Sequence, residues 1–195
     1  MKIVLGSQSE ARKKVLLRAG YEFDVVVAGI DEKEIRDPDP EKLTLALARA
    51  KAKAILPKIK EPSLLITSDQ VVTFNGTMRE KPENVGEAFQ FLFTSHLHPS
   101  STVTAVVVTN TKTGERFVGV DVATIWFRPF TLQVIMDYIK TGDPFRLAGG
   151  FDHEHPLLAP FIKKIDGEKE SILGLPISLT EKLLDYAIMR TCLEV

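Results

Sequence analysis

Several features that mark common protein classes are missing from this sequence. Its 195 residues include one cysteine, Cys192, so the chain can form no internal disulfide and no cysteine-based zinc site. Its apolar runs are shorter than the roughly 18 residues of a membrane helix, and the run after Lys2 is too short for a signal peptide. The net charge of −1 argues against nucleic-acid and anionic-membrane partners. These absences predict a cytoplasmic protein that binds neither nucleic acid nor membranes.

The two most common phosphate-binding motifs, the P-loop and GxGxxG, are also absent. A hydrophobic content of 44% with 26% charged residues is nevertheless ordinary for a globular protein with a substantial core. No repeat, low-complexity segment or linker interrupts the chain. We therefore predict a single domain over residues 1–195.

The N-terminal stretch, residues 2–20, has the pattern of a strand followed by a basic helix. Gly6 permits a tight turn, and Ser7 or Ser9 can cap the helix that carries Arg12. Free N–H groups, the helix dipole, hydroxyls and a guanidinium together suit a phosphate group. The alternative is an ordinary first strand–helix unit with a solvated basic face.

Charged residues also occur after the next predicted strand and near the end of the next predicted helix. Asp31 and Glu32 come directly after a predicted strand over residues 23–28, where paired carboxylates suit metal binding or general-base catalysis. A solvated loop is the alternative. Lys51 lies near the end of a predicted helix over residues 41–56, either as an ordinary C-terminal cation or directed toward a ligand.

A further carboxylate, Asp69, follows the buried apolar run of residues 64–68. The carboxyl end of a buried strand is where open α/β sheets place their chemistry. Asn75-Gly76 is a strong hairpin signal, and the return strand is expected to bring Lys81 back toward Asp69. A salt-bridged surface hairpin is the alternative.

The segment of residues 146–155, RLAGGFDHEH, combines glycines with a dense polar cluster. His153 and His155 could ligate a metal if they share one face of a strand, and the same cluster equally suits recognition of a polar ligand. Further on, residues 178–181 (SLTE) form a capping box that predicts the start of the last helix.

Taken together, the motifs resemble the Maf family of nucleoside triphosphate pyrophosphatases. The matching motifs are LGSQSEARKKVLL (residues 5–17), GIDE (29–32), ALARAKA (46–52), SDQVV (68–72), EKP (80–82), TAVVV (104–108), DPFRLAGGF (143–151) and IDGEKESILGLPI (165–177). The resemblance implies an α/β fold, with an elongated mixed β-sheet flanked by helices and a central cleft, and a homodimer. It also implies hydrolysis of a modified or non-canonical nucleoside triphosphate to the monophosphate and pyrophosphate, with Mg²⁺ or Mn²⁺.

The resemblance also implies roles for individual residues. Ser7, Arg12 and Lys51 would bind substrate phosphates. Glu32 and Asp69 would hold the divalent cation, and Asp69 matches the family's proposed proton acceptor. Lys81 matches the lysine before the proline of its EKP motif.

Three positions indicate which branch of the family this chain resembles. The first motif usually reads SPRR, and here Glu10 and Ala11 replace the proline and first arginine. Gln70 stands where the pyrimidine-preferring branch has threonine, and Glu154 where that branch has glutamine. Gln70 with Glu154 is similar to the 7-methyl-GTP branch, so Ala11, Gln70 and Glu154 are predicted to set base specificity.

The resulting hypothesis is direct attack of water on the α-phosphorus, because no paired Ser/His or Cys/His motif supplies a nucleophile. Ser7, Arg12, Lys51 and Lys81 would stabilise the charge of the departing pyrophosphate. The alternatives are a dTTP/UTP-type pyrophosphatase of the same family and a phosphatase that releases orthophosphate. A third is a nucleotide-binding regulator of cell division with little turnover.

Overall fold

The computed structural model describes residues 1–193, with side chains through residue 190. Contacts divide the chain into two compact units. Unit 1 comprises Met1–Asp69, Thr104–Asp121 and the chain from Leu173 onward, and unit 2 comprises Gln70–Val103 and Val122–Ile172. The single domain expected from the sequence stays a prediction.

The secondary structure confirms an α/β fold with a mixed sheet flanked by helices. The strands are β1 (Lys2–Leu5), β2 (Asp24–Val25), β3 (Ser63–Phe74), β4 (Thr77–Arg79), β5 (Ser100–Asn110), β6 (Arg116–Phe127) and β7 (Ile162–Asp166). Their order is β2-β1-β3-β5-β6-β7, with β4 paired to β3. Strand β1 is parallel to β2 and β3, whereas β4 is antiparallel to β3 and β7 antiparallel to β6.

The α-helices among residues 1–193 are α1 (Glu10–Arg18), α2 (Pro40–Ile55), α3 (Val85–Thr94), α4 (Leu132–Lys140), α5 (Lys169–Ile172) and α6 (Ile177–Leu193). Helix α2 begins with Pro40, and the Asp39 carboxylate caps its free N–H groups. Within the described residues, none of these helices has the length and apolar character required to cross a membrane.

In unit 1, the central strands β3 and β5 are buried on both faces. Alternate strand residues enter two separate cores, because successive side chains of a strand point to opposite faces. One core joins Leu64 and Ile66 to residues of α1 and α6, and the other joins Leu65 to residues of α2. This packing explains the continuous apolar run in β3.

In unit 2, one apolar core gathers residues of β3 and β6 with residues of α3 and α4. Its members are Val72, Ala88, Leu92, Ala123, Ile125, Phe127, Phe130, Ile135, Tyr138, Ile139, Phe151, Leu158 and Ile172. The hairpin between β3 and β4 turns at Asn75 and Gly76, whose φ angles are 48° and 76°, as the sequence predicts.

Several predicted boundaries are wrong. Strand β3 continues through Asp69 without a break, so Asp69 lies inside the strand. The reason is that apolar β-forming residues on both sides of Asp69 favour continued strand pairing. The strand expected over residues 23–28 covers only Asp24–Val25. The last helix begins at Ile177, so the predicted capping box lies within its first turn rather than before it.

Candidate active site

The turn after β1 brings the backbone unusually close to β3. The Gly6 N–H donates to the Ile66 carbonyl oxygen at 2.7 Å. A Cβ atom at Gly6 would lie 2.6 Å from the Thr67 methyl group and 2.7 Å from Cδ1 of Ile55, so any other residue would have to displace these side chains. The chain then enters α1 through Ser7 and Ser9, and Ser9 is the N-cap residue.

Arg12 projects from the first turn of α1 into a fixed set of acceptors. Its Nε donates to the Gly174 carbonyl oxygen at 2.9 Å, and its Nη1 donates to the Ser68 carbonyl oxygen at 2.9 Å. The same Nη1 lies 3.4 Å from Oγ of Ser7. Burial lowers the pKa of Arg12, although the Asp69 and Glu32 carboxylates oppose that shift. Ser7 and Arg12 are therefore adjacent, as expected for a shared phosphate site.

Lys51, Asp69 and Glu32 form one charged group in unit 1. The Lys51 Nζ donates to Oδ1 of Asp69 at 2.5 Å and lies 2.9 Å from Oε1 of Glu32. Lys51 and Asp69 are 8% and 5% exposed, whereas the Glu32 side chain is about half exposed. The neighbouring Asp31 instead accepts a hydrogen bond from the Lys33 N–H. Of the two carboxylates predicted as a pair, it is therefore Glu32 that contacts Lys51.

The electrostatics of this group favour a basic carboxylate. Burial raises the pKa of Asp69, and the Lys51 and Arg12 cations only partly offset that effect. The negative charge of Glu32 raises the pKa of Asp69 further. A carboxylate with a raised pKa accepts a proton more readily than an ordinary surface aspartate.

The donor set of Glu32 and Asp69 fits a hard divalent cation. Mg²⁺ is commonly held by one or two carboxylates together with substrate phosphates. Both carboxylates contact the same ammonium group, so they already converge on a single positive charge. Within the described residues, no group of three or more His, Cys, Asp or Glu side chains could hold a metal ion.

The remaining predicted site residues are distributed between the units. Ala11 belongs to α1 in unit 1, whereas Gln70, Lys81 and Glu154 belong to unit 2. The Gln70 side-chain amide donates to the Ser171 carbonyl oxygen at 2.6 Å. Lys81 is exposed, two residues beyond the end of β4.

The two histidines predicted as alternative metal ligands do not lie on a strand. They occur in a series of turns after Phe151, so the argument from strand alternation is wrong. The ring of His155 packs against that of Tyr138 at a centroid distance of 4.8 Å, with Nε2 3.9 Å from Oδ2 of Asp143. The ring of His153 is buried elsewhere in unit 2.

Sequence reasoning missed the roles of Ser68 and Gly174. The Gly174 carbonyl oxygen accepts hydrogen bonds from both Arg12 and the Ser68 hydroxyl, the latter at 2.8 Å. A φ of 91° at Gly174 shows that the loop before α6 needs glycine at this point. The GLP sequence hinted at such a turn, but no local signal indicated that Arg12 would bind there.

Comparison of the sequence with known proteins identifies a family and several relatives. A family profile described as Maf-like protein matches residues 2–187. A "7-methyl-GTP pyrophosphatase" of Dictyostelium discoideum is 44% identical over 93% of this chain and 95% of its own length. A "dTTP/UTP pyrophosphatase" of Vibrio vulnificus is 33% identical over 94% of this chain and 97% of its own length.

A "Nucleoside triphosphate pyrophosphatase" of Salinispora tropica is 31% identical over 94% of this chain and 83% of its own length. The family profile spans every predicted site residue, and these relatives match more than nine-tenths of the chain. The chain therefore belongs to the family of Maf-like proteins.

Proposed function

We propose that this protein is a nucleoside triphosphate pyrophosphatase that hydrolyses 7-methyl-GTP to 7-methyl-GMP and pyrophosphate. The observation that carries the proposal is the charged group of unit 1, in which the Lys51 ammonium is bound by Asp69 and Glu32 beside Arg12. Phosphoryl transfer depends mainly on such positioning and charge neutralisation. The relatives bearing pyrophosphatase names support the same reaction.

Asp69 is the proposed proton acceptor. It takes a proton from the water molecule whose oxygen attacks the α-phosphorus, and the bond from that phosphorus to the α–β bridging oxygen then breaks. The raised pKa of Asp69 suits this step, and Lys51 keeps the carboxylate oriented by its direct hydrogen bond. The leaving group departs as pyrophosphate.

Cationic side chains and a metal would share the task of neutralising the substrate. Glu32 and Asp69 are the proposed ligands of a divalent cation, which would supply charge neutralisation of the phosphates and activation of water. Ser7, Arg12 and Lys51 are proposed to bind phosphate oxygens. Lys81 is assigned to the leaving pyrophosphate from the family resemblance alone.

Base selection is assigned to Glu154, Gln70 and Ala11. A carboxylate at Glu154 can accept from both N1–H and the exocyclic amino group of guanine, whereas uracil offers one donor there. Gln70 has its amide nitrogen on a backbone carbonyl, so its proposed contribution is to support this region rather than to supply that nitrogen to the base. Ala11 leaves room that a larger side chain would fill.

The test is release of pyrophosphate from a panel of 7-methyl-GTP, GTP, UTP and dTTP with Mg²⁺ or Mn²⁺. We expect pyrophosphate rather than orthophosphate, and 7-methyl-GTP turned over faster than UTP. In Glu154→Gln, the ratio of 7-methyl-GTP turnover to UTP turnover should fall by about 10-fold to 100-fold, because the substitution replaces a hydrogen-bond acceptor by a donor at one atom. Preference for UTP or dTTP would instead support the activity named for the Vibrio vulnificus relative, and nucleotide binding without turnover would support a regulator.

The homodimer and the cytoplasmic location stay predictions from the sequence. Light scattering that gives a mass twice the 21.7 kDa of one chain would support the dimer.

A further inference from the structure

Unit 2 contains a cavity of about 330 Å³ that is lined by residues of the β3–β4 hairpin and of α3. Small-molecule sites typically enclose about 300–1,000 Å³ and combine apolar walls with a few polar groups. Phe74, Met78 and Phe91 supply apolar surface here, and Arg79 and Glu87 supply one charge of each sign. The cavity therefore has the size and lining of a site for a small ligand, and its lining includes none of the residues assigned to hydrolysis.

Arg79 is a partly buried cation of this lining. Its Nη1 donates to the Phe91 carbonyl oxygen at 3.2 Å, and its Nη2 donates to Oγ1 of Thr94 at 2.8 Å. Its guanidinium carbon lies 3.5 Å from the centroid of the Phe74 ring. Burial lowers the pKa of Arg79 to about 10, and no carboxylate among the described residues opposes that shift. Because a guanidinium has five N–H donors, three of them remain for a ligand.

Glu87 is a partly buried anion of the same lining. Its Oε2 accepts a hydrogen bond from the Glu83 N–H at 2.7 Å. In the part of the chain with described side chains, Glu87 forms no ion pair with Arg79 or with any other cation. Partly buried charges are costly unless they are paired. One cavity thus holds two opposite charges that do not neutralise each other, and a ligand that carries both charges would pair with each.

We propose that this cavity binds an α-amino acid with an apolar side chain. The α-carboxylate is planar and suits the remaining donors of Arg79, because a guanidinium binds a carboxylate through two parallel hydrogen bonds. The α-ammonium group pairs with the Glu87 carboxylate. The apolar side chain packs against Phe74, Met78 and Phe91.

Ligands with another pattern of charge do not satisfy both groups. Phosphate, pyrophosphate and dicarboxylates bring two or more negative charges to a cavity that already contains the Glu87 carboxylate. A monocarboxylate without an amino group leaves Glu87 unpaired, and an amine without a carboxylate leaves Arg79 unpaired. A zwitterion therefore fits better than any of these classes.

The ligand class is tested by calorimetric binding of L-leucine and two analogues of the same shape. One analogue is 4-methylpentanoate, which lacks the amino group, and the other is 3-methylbutylamine, which lacks the carboxylate. L-leucine should bind at least about 10-fold more tightly than either analogue, since each analogue loses one charged hydrogen-bonding group. Equal affinity for L-leucine and either analogue would overturn the proposal, as would absence of binding by L-leucine, L-methionine and L-phenylalanine.

The role of Arg79 is tested by substitution. Arg79→Met should weaken binding of L-leucine by about 10-fold and leave 3-methylbutylamine unchanged, because that amine has no carboxylate. The matched control is Arg128→Met, an exposed arginine of unit 2 outside the cavity lining, for which no change is expected. Equal losses for both ligands, or no loss for L-leucine, would show that Arg79 only fastens α3 to the hairpin.

Glu87→Gln is the second variant, and it keeps the fold because glutamine can still accept the hydrogen bond from the Glu83 N–H. It should weaken binding of L-leucine by about 10-fold and leave 4-methylpentanoate unchanged, because that acid has no ammonium group. Melting temperatures of the three variants show which of them are folded. An unchanged affinity of Glu87→Gln for L-leucine would overturn the amino-acid site.

Discussion

Among single residues, Asp69 is the one whose substitution we expect to reduce turnover most. Asp69→Asn keeps the shape of the side chain but removes the proton acceptor and one carboxylate of the pair around Lys51. We expect turnover of 7-methyl-GTP to fall by about 10²–10⁴, which is the usual contribution of a positioned general base. Pyrophosphate release by purified protein measures the change.

Asp137→Asn is the matched control, because Asp137 is an aspartate that pairs with Lys140 on the surface of α4. Circular dichroism should show that both variants are folded. Near-normal kcat in a folded Asp69→Asn protein would remove Asp69 from the mechanism.

The pH dependence of activity follows from the charges around Asp69. The carboxylate must be ionised to accept a proton, so kcat/KM should rise with pH through its pKa, which lies above the ordinary aspartate value of about 3.9. Lys51 lowers the pKa of Asp69 and Glu32 raises it. Lys51→Met should therefore move the acid limb to higher pH.

The substitution should also reduce the maximum rate, but the pH at which activity rises can be read separately from that maximum. Profiles of kcat/KM against pH for the wild type and Lys51→Met test the expectation. Acid limbs that coincide, or a limb that moves to lower pH in Lys51→Met, would show that another group controls the acid side of the profile.

At the scale of elements, the approach of β1 to β3 depends on Gly6. In Gly6→Ala the new methyl carbon would meet Thr67 and Ile55 at under 3 Å and the Ile66 carbonyl oxygen at 3.2 Å. Overpacking of this kind typically costs about 1–3 kcal/mol of the free energy of unfolding. In a chain of this length each kcal/mol lowers the melting temperature by about 2–4 °C.

Gly86→Ala is the control, since Gly86 lies in the first turn of α3 and a Cβ there meets only the Asn84 side-chain oxygen, at 3.2 Å. Alanine favours a helix over glycine by about 1 kcal/mol, so this variant should be destabilised far less. Thermal and urea unfolding measure both. A Gly6→Ala protein as stable as the control would mean that the turn relaxes at little cost.

At the scale of the whole molecule, binding of substrate should stabilise the folded chain. Ligand at 100 times its Kd adds about 2.7 kcal/mol to the free energy of unfolding, which corresponds to roughly 5–11 °C in melting temperature. The Asp69→Asn protein is suited to this measurement because it should bind 7-methyl-GTP without consuming it. UTP at the same concentration should produce a smaller shift, and equal shifts would contradict guanine selectivity.

Local sequence signals account for several elements of this protein. Pro40 and a run of Ala, Leu and Lys specify α2, and Asn75-Gly76 specifies the hairpin after β3, because these signals act through backbone conformations of a few neighbouring residues. The family motifs also identify Ser7, Arg12, Glu32, Lys51 and Asp69. In unit 1, Arg12 lies against Ser7, and Lys51 contacts both Glu32 and Asp69.

The pairing of those residues depends on how distant parts of the chain pack together. Lys51 contacts Asp69 and Glu32 from a separate helix, and Arg12 reaches a carbonyl 162 positions away at Gly174. Packing also extends β3 past Asp69, although the local composition predicts that the strand ends there. The burial of the His153 side chain, which is 4% exposed, likewise has no signature in the sequence. Such features depend on which distant elements pack together, and that is not encoded in the order of neighbouring residues.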